Sequence, residues 1–131
     1  MIDFATLKPG WRPNQFLMAP EGLCQAASPH ATSPDFAVPP TELMQAFHTL
    51  ALAEPRVTVR DDKRTDLAAT YVQRSKFFRF PDIVDVRVFP RGEAGSTLAI
   101  YSRAVYGIRD FGVNERRVRD WVGKLADALP D

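Results

Sequence analysis

The chain has one cysteine, Cys24, and two histidines, His30 and His48, among 131 residues. A single thiol forms no intrachain disulfide, so the fold is not an oxidised, stapled scaffold, and a reducing compartment is the simpler setting. The histidines stand apart: His48 has no partner one helical turn on, and His30 lies in a proline-rich stretch. No metal-ligand spacing results, and neither a metal nor another cofactor is expected. As a nucleophile Cys24 would need a base and an orienting group, so it reads more simply as a small buried hydrophobe beside Leu23. An excess of one charge is also missing. Lys and Arg total 17 against 16 Asp and Glu, a net charge of +1 that leaves no footprint for nucleic acid or an anionic membrane. No window approaches the roughly 18 apolar residues of a membrane span, and Met1 to Gly10 lacks the basic-then-apolar order of a secretory signal. A cytoplasmic protein with no membrane span is the expectation.

What the chain does have is ordinary globular composition, 45% hydrophobic and 25% charged, at a length that fits one domain over residues 1–131. Seven of the 11 prolines fall in the first 40 residues. Each removes a backbone donor and disfavours helix just before it, which predicts an irregular arm over 1–40. The arm also carries Phe4, Trp11, Phe16, Leu17, Met18, Leu23 and Phe36, too much apolar bulk for a disordered tail, so it should wrap on the domain.

Leu43, Phe47, Leu50 and Ala51 recur at helical spacing between Thr41, a plausible N-cap, and Glu54, with Pro55 just beyond. Val57–Val59, Leu67–Arg74, Ile83–Phe89 and Thr97–Tyr106 read as four strands, and Gly92 with Gly95 predicts a hairpin joining the last two. A final helix should open at Asn114. Val113 and Val118 hold the positions of a hydrophobic staple, and Val118, Trp121, Val122, Leu125 and Leu129 form one apolar stripe. Residues 41–131 thus order as helix, four strands, helix. The predicted class is α+β, a four-stranded antiparallel sheet with both helices on one face.

Three segments together resemble a known family: Tyr71-Val-Gln-Arg-Ser-Lys-Phe-Phe-Arg-Phe-Pro-Asp82, Leu98-Ala-Ile-Tyr-Ser-Arg103, and Gly107-Ile-Arg-Asp-Phe-Gly-Val-Asn-Glu-Arg-Arg-Val118. In this order they are similar to the domain-of-unknown-function family 1499, a resemblance that spans residues 20–122 and is most specific from Gly107 to Val118. The chain departs from that pattern twice. Ile83 follows Asp82 where the family has acidic neighbours, and a longer route from Pro13-Asn14 to Leu23-Cys24 replaces the family's Pro-Asn-Cys-Val-Ser segment. The resemblance implies no established activity; through relatives in envelope and organellar settings it leaves peripheral membrane proximity open.

The densest polar grouping is Arg79, Asp82, Arg103, Asp110, Asn114 and Arg117. Converging guanidiniums beside a helix start could bind an anion through bidentate hydrogen bonds. The same residues could instead form a buried ionic network, with Asn114 capping the helix and Asp110 pinning the loop before it. Gly107 to Gly112 lacks the glycine spacing and the Lys-Ser/Thr of a nucleotide loop, and Arg116, Arg117 and Arg119 read as a solvated face. Ser75 and Ser102 have no histidine nearby in sequence, so no catalytic residue is assigned and an enzyme is not favoured. The expected function is a non-enzymatic accessory or binding protein that engages a protein partner, with Trp11 and Phe16 of the arm at the contact and a membrane complex as one setting. The alternatives are a carrier of a small hydrophobic or anionic ligand, seated between the sheet and the last helix, and an enzyme built on the Arg/Asp grouping.

Overall fold

The computed structural model describes residues 1–107 and 110–131. Ile108 and Arg109, inside the Gly107–Gly112 segment, lie outside the described residues. Seven strands and two α-helices run in the order β1 (Gln15–Ala19), β2 (Ala31–Thr32), β3 (Asp35–Phe36), α1 (Pro40–Ala53), β4 (Val57–Lys63), β5 (Ala68–Arg74), β6 (Pro81–Arg91), β7 (Gly95–Ala104) and α2 (Val113–Ala128).

The helices keep their expected apolar stripes but not their expected caps: Pro39, not Thr41, holds the N-cap position of α1, and Gly112, not Asn114, that of α2. Pro40 stands in the first turn of α1, where its missing N–H costs nothing, and the helix ends at Ala53, ahead of Pro55. Leu43, Met44, Phe47 and Ala51 make its buried face. In α2 the stripe Val118, Trp121, Val122 and Leu125 is buried. Both helices pack on one face of the sheet. There they meet Phe16 and Met18 of β1, Ala69 and Tyr71 of β5, Val84, Val86 and Val88 of β6, and Leu98 and Ile100 of β7.

The sheet is larger than the expected four antiparallel strands. Its order is β2-β1-β7-β6-β5-β4, and β3 pairs separately with β7. The arm supplies the additions. Gln15–Ala19 pairs antiparallel with β7, Asp35–Phe36 does the same further along it, and Ala31–Thr32 pairs parallel with β1, so the sheet is mixed. Prolines forbid ladder bonds only at their own positions, and Gln15–Ala19 fits between Pro13 and Pro20. The alternation that betrays a strand is absent from β1 because both of its faces are covered. Phe16 and Met18 face the helices, whereas Leu17 and Ala19 join Phe4, Ala99 and Tyr101 in a second cluster on the outer face. Residues Ile2 to Ala27 pack on that outer face along β1 and β7, with Phe89 of β6 at the edge of the cluster. β4, expected to stop at Val59, continues through Arg60-Asp-Asp-Lys63 with a bulge at Arg60. Charged residues suit such an edge strand because they discourage pairing with another chain.

Candidate functional site

The six residues of the expected anion site divide among three places. Asp82, Asp110, Asn114 and Arg117 come together under the start of α2; Arg103 lies on the opposite face of the sheet; Arg79 sits in the β5–β6 loop. Strand alternation causes the split. Ser102 points to the helices and Arg103 away from them, so the tandem Ser-Arg addresses two sites.

Arg117 is the hub of the first group. Its Nη2 meets Asp82 Oδ2 at 2.9 Å, its Nε donates to Gln73 Oε1 at 2.5 Å, and its Nη1 donates to Ser102 Oγ at 3.0 Å and Asn114 Oδ1 at 2.7 Å. Four of the five guanidinium hydrogens are thereby used within the protein. Asn114 is fully buried, and it does not cap α2: Gly112, in the left-handed region at φ 81°, holds that position. The Asn114 side chain donates instead to the Asn14 carbonyl at 3.0 Å and to Asp110 Oδ2 at 2.7 Å. Asp110 in turn accepts from the Gly112 amide at 2.9 Å and the Asn114 amide at 3.1 Å, satisfying donors at the helix start. Burial works to raise the Asp110 carboxyl, but the bonds from Asn114 and Gly112 hold it below its ordinary value. Asp82 moves the other way, because its burial outweighs the pull of Arg117. Asn14 closes the network from the arm: its side chain donates to the Gly107 carbonyl at 2.6 Å, and its carbonyl accepts from the Ala104 amide at 2.9 Å. The assembly ties α2, β5, β6, β7 and the arm together.

On the outer face Asp85, 2% exposed, accepts from Thr70 Oγ1 at 2.5 Å and from Arg103 Nη1 at 2.7 Å. The Arg103 guanidinium lies 4.7 Å over the Tyr101 ring. Thr70, Gln73 and Asn14 were not among the sequence candidates, whereas Asp85, a candidate with Asp82 and Asp110 for an acid/base pair, lies on the opposite face of the sheet from both. Strand alternation alone would have placed Asp85 and Arg103 on one face, given the register that pairs Ile83 with Arg103.

The expected partner contacts also separate. Trp11 is 77% exposed, but Phe16 is 5% exposed and belongs to the core, stacked on His30 at 5.1 Å, so its ring is not offered to a partner. The space between sheet and α2, where an enclosed ligand was expected, is filled by Phe47, Tyr71, Trp121 and Leu125, with Phe47 edge-on to Trp121 at 6.0 Å. Cys24, only partly buried rather than buried as expected, packs against the outer-face cluster, and what burial it has raises its thiol pKa.

The feature that composition alone understated is an aromatic apex at one end of the sheet. Phe77 and Phe78 are 82% and 76% exposed, and Phe80, Val105 and Tyr106 are exposed with them; Phe111, 87% exposed, stands just before α2. Phe78 stacks on Phe80 at 5.5 Å, and Phe80 meets Tyr106 at 5.8 Å, which joins the β5–β6 loop to the segment after β7. Hydrogen bonds tie the β5–β6 loop and the Phe111 carbonyl. The Ser75 amide donates to the Phe80 carbonyl and the Phe80 amide to Ser75 Oγ, each at 3.0 Å; Arg74 Nη1 donates to the Arg79 carbonyl at 3.0 Å; Arg116 Nη1 donates to the Phe111 carbonyl at 2.9 Å. Arg79 and Phe111 hold left-handed backbone, φ 60° and 52°, a conformation costly for residues other than glycine.

Among the described residues no group of three or more His, Cys, Asp or Glu could hold a metal ion, and no helix is long and apolar enough to cross a membrane. A family model described as "Protein of unknown function (DUF1499)" matches residues 10–125. No curated protein matches the chain.

Proposed function

The chain belongs to the DUF1499 family, and we propose that it is a non-enzymatic binding protein that docks a partner protein through the aromatic apex. The observation carrying this reading is the exposure of Phe77 and of the Phe78–Phe80–Tyr106 cluster, with the β5–β6 loop tied by its own hydrogen bonds. Soluble proteins seldom hold several large aromatic rings together in water without a use for them. Rings fixed before contact lose little entropy on binding, and aromatic and arginine side chains are the groups that anchor protein interfaces. Charge favours a protein over an anionic membrane. The whole chain is nearly neutral at a net charge of +1, which gives no general attraction to an anionic membrane. Arg117 supports the non-enzymatic reading, since its donors are spent on the protein itself.

A photoreactive phenylalanine at position 78, activated in the native host, tests this. The reading expects a discrete polypeptide adduct there and none from the same probe at exposed Glu93, about 30 Å away at the other end of the β6–β7 hairpin. No adduct at position 78, or adducts with lipid alone, would overturn it.

A further inference from the structure

We propose that the outer face of β4, β5 and β6 binds a single-chain amphipathic carboxylate of the fatty-acid class. This site adjoins the aromatic apex, sharing Arg74 and Val105 with its edge, but needs no partner bound there. The segment Ile2–Ala27 packs on the outer face along β1 and β7, and Met1 and Ile2 reach the rim of a cleft beside buried Thr70 and Asp85, whereas Val72, Ile83 and Pro81 nearer the end of the sheet are only half-buried. The water-facing side of an antiparallel sheet is ordinarily polar. Here the cross-strand register aligns Thr58, Val72, Ile83 and Arg103 in one row over four strands, with Pro81 in the next row and Val105 bonded to its carbonyl. Val72, Ile83 and Pro81 are half-buried, so an apolar trough lies between exposed Thr58 at one end of the row and Arg103 at the other.

The trough forms the floor of a cleft of about 420 Å³ with Arg60 and Arg74 on its walls and no carboxylate in its lining. Small-ligand sites begin near this size, built from an apolar surface with a few polar groups to fix orientation. Arg60 makes no ion pair or side-chain hydrogen bond among the described residues, and the β-bulge at Val59–Asp61 sets it on the cleft's rim. The adjoining cleft, about 450 Å³, shares Arg60 and Ile83 and contains Arg103, whose charge Asp85 already balances. Asp61 also lines that second cleft and repels an anion there, which places the carboxylate head between Arg60 and Arg74 and the alkyl chain over Val72, Ile83 and Val105. A guanidinium pairs with a carboxylate through two parallel hydrogen bonds, and apolar contact over the trough supplies the rest of the affinity.

Calorimetric titration of the full chain with dodecanoate, kept below its micelle concentration, tests the assignment beside dodecanol and dodecyltrimethylammonium as probes. One saturable dodecanoate site is expected, with at least tenfold weaker binding of both other probes. Arg60→Gln should weaken dodecanoate at least fivefold, and Val72→Glu should abolish its binding. Arg60 has no side-chain partner among the described residues, so its variant should melt like the wild type, which separates loss of binding from loss of fold. Equal affinity for the three probes, binding unchanged in Arg60→Gln, or no saturable dodecanoate site would each overturn the proposal.

Discussion

Arg117 shows how a single side chain can be occupied by the fold itself. Its guanidinium meets Asp82, Gln73, Ser102 and Asn114 in a largely buried setting. Removing one partner of such a pair leaves the other charge uncompensated, which is more costly than replacing both with apolar groups. Arg117→Met should therefore destabilise by about 3–5 kcal/mol in urea denaturation. A change of only a few tenths would mean that the network is not closed as described. The arm offers a contrast. Phe16→Ala should cost about 3–5 kcal/mol, as deletion of a core ring does, whereas exposed Trp11→Ala should stay within about 0.5 kcal/mol.

His48 sets a pH dependence. It is buried, with Nδ1 2.8 Å from the Tyr71 hydroxyl, and burial, followed by the nearby charge of Arg64, lowers its pKa from 6.5. The unfolded chain thus takes up a proton near pH 6.5 that the native imidazole resists. The stability tied to His48 is complete above that pH and is lost as pH falls below it towards the lower native value. Urea midpoints between pH 7.5 and 5.5 should fall more steeply for the wild type than for His48→Gln; parallel profiles would exclude this role.

Among the elements, Gly95 is where backbone proximity leaves no room for a side chain. A Cβ there would stand 2.8 Å from the Arg91 carbonyl and 3.0 Å from the Phe36 carbonyl, so Gly95→Ala must push the β6–β7 turn or β3 aside. We expect a loss of about 1–3 kcal/mol in thermal or chemical unfolding, together with faster amide exchange at Asp35–Phe36; unchanged exchange would show that β3 is not held through this contact. This element also marks the limit of the sequence reading. Both helices were legible because their apolar stripes and flanking prolines act locally, and β5 to β7 were legible from alternation. β1, β2 and β3 were not. β1 has two covered faces and hence no alternation, and β2 and β3 are two-residue pairings fixed by β1 and β7 rather than by their own residues. The site was legible only in part for the same reason. Asp82, Asp110, Asn114 and Arg117 are drawn together as their motif suggested, while Arg103 follows strand alternation to the other face and Arg79 remains in a loop.

At the scale of the whole molecule, the two faces and one end of the sheet are used differently. The helix face is a filled core closed by the Arg117 network, the outer face is covered by the arm on one side and less so on the other, and the apex presents aromatic rings to solvent. The rings of Phe77 and Phe78 contribute little to the core, so their removal should alter binding and leave stability within about 0.5 kcal/mol of the wild type. The central claim is that the apex exists to hold a partner protein. Native mass spectrometry of the full chain, isolated gently from its host beside a Phe77→Ser/Phe78→Ser variant of equal melting temperature, tests it most directly. The account predicts a complex with one polypeptide for the wild type and its loss in the variant. A bare chain from both, or the same complex retained by the variant, would contradict it.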